Sequence, residues 1–133
     1  MIQGIFSKFF QKNEVDNISS IASTDTGKFV LKLNHLEIGY LEYQSGIWYF
    51  CYSDLFKQKT NYHSIPGFPN VNKKYANESL WPFFKIRIPG MGQPSVKDIL
   101  TKENINRSNE FALLKRFGLK SISNPYTLEF IEN

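Results

Sequence analysis

The chain is poor in the residues that build covalent or metal-centred chemistry. Cys51 is its one cysteine, so no disulfide can form within it. Its apolar surroundings, "IWYFCY", predict a buried and inert thiol. The two histidines, His35 and His63, have no Cys or His partner at metal-ligand spacing, and no metal site is expected. Glycine-rich loops are scarce too. "PGMGQP" offers two glycines without a following Lys-Ser/Thr, so it is no phosphate loop. Neither a nucleophile elbow nor a kinase catalytic loop can be found. The expectation is a protein that is not an enzyme, with no catalytic residues and no cofactor.

No apolar run approaches the ~18 residues of a membrane span. The opening "MIQGIFSKFFQKNE" is too polar for the apolar stretch of a signal peptide and has no small-residue cleavage site. A cytoplasmic protein is therefore expected, with no membrane contact. The N-x-S sequences at Asn17, Asn77 and Asn106 are then expected to stay unmodified. Charge of one sign is also lacking. Sixteen Lys and Arg against 12 Asp and Glu leave +4, which permits contact with nucleic acid without demanding it.

What the chain has in quantity is rings. It is 133 residues long, a length for one domain with a true core. The aromatic share is 16%, with 12 Phe. A domain this small cannot easily bury so many, so some are expected at a binding surface.

Residues 1–27 read as an extension. Ile2, Ile5, Phe6, Phe9 and Phe10 make the stripe of a short amphipathic helix that packs on this domain or a partner, and a polar linker follows. From Lys28 the period changes to two. Strands are expected at 28–33, 37–43 and 47–52, joined across Asn34-His35 and "YQSG", as an antiparallel meander. The third strand is apolar on both faces, which suits a central position. Glu37 and Glu42 fall on solvent faces of the hairpin. Residues 53–78 read as loop, with "IPGFPN" a turn cluster. Pro94 opens a helix over 94–102. Ser108 is the expected N-cap and Gly118 the C-cap of a helix over 109–117, with Phe111, Leu114 and Phe117 on one face. "NPYTLEFI" closes as a strand. The fold class is α+β: a small antiparallel sheet, meander or barrel-like, followed by two helices in a domain over 28–133.

"SLWPFFKIRIPG" (79–90) concentrates the question of function. Phe83 and Phe84 are consecutive and cannot point the same way, so one of them is expected in the core. Pro82 restricts Trp81 to extended backbone. Trp81 is expected at least half exposed, as the anchor of a protein interface, with Phe83 and Phe84 beside it and Lys85 and Arg87 as its cationic rim. The competing reading stacks these rings on bases and sets the cations on phosphates.

The order of features resembles the N-terminal subdomain of HipA-type toxin kinases. "LNHLEIGYLEYQSGIWYFCY" is similar to its opening strands, including the N-x-x-x-x-G spacing from Asn34 to Gly39. "WPFFKIRIPGMGQPSVKDIL" is similar to its Pro-Phe-Phe segment and following helix, and "NEFALLKRFG" to its closing helix. The likeness covers roughly residues 28–133, and the kinase core is absent. The resemblance therefore implies a free-standing subdomain of the HipS type, the antitoxin of three-component HipBST systems. Its partner would be a HipT-like Ser/Thr kinase, inhibited non-covalently, with a HipB-like helix-turn-helix protein as third member. The kinases often carry Leu-Pro-Glu-Gly after the Phe pair, whereas this chain has "IPGMG" without the acidic residue.

Overall fold

The computed structural model describes residues 25–59, 63–121 and 124–132. The amphipathic stripe expected at the N-terminus lies outside the described residues. The first three strands are β1 (Thr26–Leu33), β2 (Leu36–Gln44) and β3 (Ile47–Tyr52). They pair antiparallel because both connections are two-residue turns with positive φ at each central position. Asn34 and His35 stand at φ +50° and +74°, Ser45 and Gly46 at +52° and +82°. Such turns carry the twist of the flanking strands, and Asn and Gly adopt them at low cost. They fix the registers Leu33 to Leu36 and Gln44 to Ile47.

Two further strands complete an open sheet in the order β4-β3-β2-β1-β5, with β4 Tyr75–Asn77 and β5 Thr127–Ile131. Every pairing is antiparallel, and the sheet does not close into a barrel. β3 is an interior strand as expected, paired with β2 on one side and β4 on the other, and β2 takes the middle place. The two apolar faces of β3 are not equally covered: Trp48, Phe50 and Tyr52 are buried while Ile47, Tyr49 and Cys51 alternate onto a half-covered face. The Cys51 thiol is thus partly exposed rather than buried as expected.

A bulge in β2 tunes the core. Leu31 pairs with Gly39 but Lys32 with Glu37, so Ile38 is the inserted residue, and it is fully buried. Gly39 answers a space requirement. A Cβ there would come within 2.6 Å of the Cys51 carbonyl oxygen and 2.7 Å of the Phe50 ring.

The helices cover one face of the sheet. They are α1 (Asp54–Lys57), α2 (Pro82–Lys85), α3 (Pro94–Lys102) and α4 (Glu110–Phe117). α3 and α4 stand where the proline and glycine signals put them. The N-cap of α4, however, is Asn109, whose side chain accepts from the Ala112 N–H at 3.0 Å. Ser108 instead donates through its backbone and hydroxyl to Asn106 Oδ1. Phe111 of α4 meets Phe29 of β1 edge-on at 5.9 Å, and Phe130 of β5 meets Phe29 at 5.2 Å. Rings thus lock three elements into one core. A smaller cluster of Val96, Leu100 and Leu113 joins α3 to α4.

Candidate partner-binding surface

The segment 79–90 is an edge of the helical layer, and its backbone decides what each side chain does. Pro82 and the three residues after it make the single helical turn α2, with Trp81 in extended backbone at the N-cap (φ −67°, ψ +150°). A proline at the first helical position lacks only an N–H that would have no partner there. Phe84 turns inward, fully buried, against Phe50 and Phe68. Trp81 and Phe83 turn the other way. With Pro66, Gly67, Phe68 and Pro82 they line an apolar groove of about 240 Å³.

The opposite wall of that groove is a rigid turn. The Phe68 N–H donates to the Ile65 carbonyl at 3.1 Å. Pro66 and Gly67 fill the corner, and the +90° φ of Gly67 is the conformation a type II turn demands of its third residue. Tyr52 clamps both ends from beneath. Its hydroxyl donates to the Phe68 carbonyl at 2.6 Å and accepts from the Ile65 N–H at 2.9 Å. Burial pushes the Tyr52 phenol up to about 12, because a phenolate would lose its hydration there. Trp81 leans edge-on against Phe68 at 5.0 Å, and Phe83 against Tyr126 at 5.6 Å. Both rings are half-buried, so Trp81 is less exposed than its sequence context predicts. Packing on Phe68 takes one side of it. Its indole N–H makes no hydrogen bond among the described residues.

The two cations expected as a rim behave differently. Lys85 is half exposed and forms an ion pair with Glu110 at 3.0 Å. Glu110 also accepts from the Leu80 N–H at 3.1 Å, so its carboxylate ties the start and end of the α2 segment to α4. Arg87 is buried, 4% exposed, and is no rim residue. Its Nη1 donates to the Gly118 carbonyl at 3.2 Å. Nη2 donates to Asn124 Oδ1 at 3.1 Å and to the Tyr126 carbonyl at 3.0 Å. Nε finds no partner among the described residues. Desolvation draws the Arg87 pKa below the usual arginine value. Arg87 is a latch between α2 and the chain that leads into β5.

The reversal has a simple cause. "Lys85-Ile86-Arg87-Ile88" alternates like a strand, but α2 and the turn after it rotate successive residues by about a hundred degrees rather than 180°. Ile86 therefore emerges where a cation was expected, 59% exposed. No sequence signal separated it from Ile88, since that distinction needs the helical turn.

Of the five residues singled out from sequence, Trp81 and Phe83 share the groove, Lys85 flanks α2, and Phe84 and Arg87 support from within. Among the described residues no helix is long and apolar enough to cross a membrane. No group of three or more His, Cys, Asp or Glu side chains there is placed to hold a metal ion. No protein-family model matches the chain, and no curated protein matches its sequence.

Proposed function

We propose that this chain is a HipS-like cytoplasmic antitoxin that binds a HipT-like Ser/Thr kinase through the Trp81 surface and blocks it without chemistry of its own. One observation carries the reading: a half-buried tryptophan, its N–H unbonded among the described residues, lines a braced and mostly apolar groove. Rigid aromatic anchors lose little entropy when a partner covers them, and Trp is enriched where binding energy concentrates. Exposed Ile86 adds an apolar side chain to the same segment. The resemblance of residues 28–133 to the kinase subdomain supplies the partner's identity. In this mechanism Trp81 and Phe83 lie against the kinase's active-site region, so that ATP or the protein substrate cannot be used productively. A HipB-like helix-turn-helix protein completes the set.

Co-expression with a HipT-like Ser/Thr kinase tests the reading. A stable complex and loss of kinase activity are expected, and both should fail for Trp81→Ala. A kinase that stays active with an excess of the wild-type chain would overturn it.

The nucleic-acid alternative finds less support. On the face of the sheet away from the helices, Lys28 lies over Tyr40 and Lys74 over Tyr49, at 4.7 and 5.0 Å. Yet Lys32 there is paired with Glu129, Tyr40 donates to Glu37, and Glu42 stands opposite Lys28. Phosphates approaching that face meet balanced charge. Affinity for an oligonucleotide at physiological salt should stay at the ~10⁻⁴–10⁻⁶ M of non-specific contacts.

A further inference from the structure

On the far side of α2 from the Trp81 groove, two clefts of about 410 and 460 Å³ share Met91 and Arg107 as common walls. The second is the more informative. Its floor is Leu100, Ile105 and Met91, and its flanks are Lys97 and Arg107. The end of α3 preforms it. Asn104 takes a left-handed conformation, φ +55°, and the Ile105 N–H reaches back to the Leu100 carbonyl at 2.9 Å while the Asn104 N–H bonds Thr101. This Schellman closure folds Ile105 over Leu100. The next turn is fixed too, since Asn106 Oδ1 accepts from the Ser108 N–H and the Asn109 N–H donates to the Asn106 carbonyl. Arg107 is thereby held outward.

The charges of the cleft are uncompensated. Several cations of the helical layer have carboxylates, Lys85 with Glu110, Lys102 with Asp98 and Arg116 with Glu103, while Lys115 lies over the Phe130 ring. Lys97 and Arg107 have no ion pair among the described residues, and no acidic side chain lines this cleft. We propose that it binds an acidic segment of a partner protein, with carboxylates on Lys97 and Arg107 and a branched aliphatic side chain on Met91, Leu100 and Ile105. The cation pair selects negative charge, and the aliphatic floor selects a peptide over a nucleic acid. No ring lines this cleft for base stacking, and Tyr43 of the neighbouring cleft is already stacked on Phe111. The inference does not rest on the kinase reading.

The test is a titration of the isotopically labelled full chain with a short blocked peptide of glutamate and leucine, followed by NMR. Shifts centred on Met91, Lys97, Leu100 and Arg107 are expected, with affinity falling as salt rises. Replacing the peptide's glutamates with glutamine should weaken binding by about 5-fold or more, as should Arg107→Glu combined with Lys97→Glu. Neither side chain has an ion pair among the described residues, so the double variant should melt with the wild type; Arg107→Gln provides a milder second readout. Trp81→Ala should leave peptide binding intact, which separates this cleft from the groove. No shifts, shifts mapping elsewhere, equal binding of the glutamine peptide, or tighter binding of oligothymidylate would each overturn the proposal.

Discussion

The two faces of residues 81–88 are built from the same kinds of residue and do opposite work. Inward go Phe84 and Arg87, one ring and one cation; outward go Trp81, Phe83 and Ile86, with Lys85 at the side tied to α4. Residue type does not sort them. The single turn of α2 does, and the inward pair holds the outward set in place. Phe84 seats the turn on the core, and Arg87 fastens its end to Gly118 and Tyr126. Affinity and stability should therefore separate when the two faces are mutated.

The largest effect belongs to the inward ring. Phe84→Ala empties a fully buried site and should cost about 3–5 kcal/mol of stability, read by denaturant melts. A mild loss would mean that the α2 turn is not seated as described. Trp81→Ala should instead cost ~2–4 kcal/mol of kinase binding, roughly 30- to 1000-fold in affinity. Its folding cost should stay below about 2 kcal/mol, the share of the half-buried ring packed on Phe68. A folded variant that still neutralises the kinase would place the anchor elsewhere.

Arg87→Met comes next. It leaves the Gly118 and Tyr126 carbonyls without their buried donor, and about 1–3 kcal/mol of stability should go with it. Binding should weaken only as far as the outward face loosens. A stable Arg87→Met protein with unchanged binding would show that the latch is dispensable.

Alkaline pH probes the groove's floor. The Tyr52 phenol is held up to about 12 in the fold, against roughly 10 in an unfolded chain. Its contribution is thus complete below pH 10 and is lost as pH rises from 10 towards 12. Tyr40, also pushed up to about 12, chiefly by its hydrogen bond to Glu37, adds to the same slope. Tyr52→Phe should flatten the pH dependence in part and loosen the Ile65–Phe68 turn. An unchanged alkaline melt would show that the clamp does not bear on stability.

The smallest effect on folding is expected of Ile86→Ser. Being mostly exposed, Ile86 should change stability by less than about 0.5 kcal/mol, yet kinase affinity should drop a few-fold. Unchanged affinity would confine the interface to Trp81 and Phe83.

Much of this fold is legible in the chain because its signals are local. Asn34-His35 and Ser45-Gly46 stand between alternating segments, so turn chemistry and period agree on the hairpins. Pro94 and Gly118 punctuate α3 and α4 as plainly. The N-cap slips from Ser108 to Asn109 because the two are adjacent and comparably good caps, and the contest is settled by the Asn106 turn that engages Ser108. α1, α2 and β4 are only three or four residues long, too short for any period to show, so tertiary packing alone defines them. At the site, the Trp-Pro-Phe-Phe composition singles out the segment and tells that one of the consecutive Phe residues is core. Which of Phe83 and Phe84 turns inward is decided by the α2 turn. The inward turn of Arg87 cannot be read from it either, because its hydrogen-bond partners lie more than thirty residues away.

The pairing of β1 with β5 has a consequence for synthesis. β1, β2 and β3 are contiguous in the chain and can form their hairpins as soon as they leave the ribosome. β5 pairs Phe130 with Phe29 and must wait for the intervening chain, some ~4–15 s at usual translation rates. Through that interval one edge of β1 is open, a template for strands of other chains. The alternating Lys28 and Lys32 in β1 put charge along this waiting edge. Neutralising both should therefore raise aggregation during expression well before it alters the folded protein.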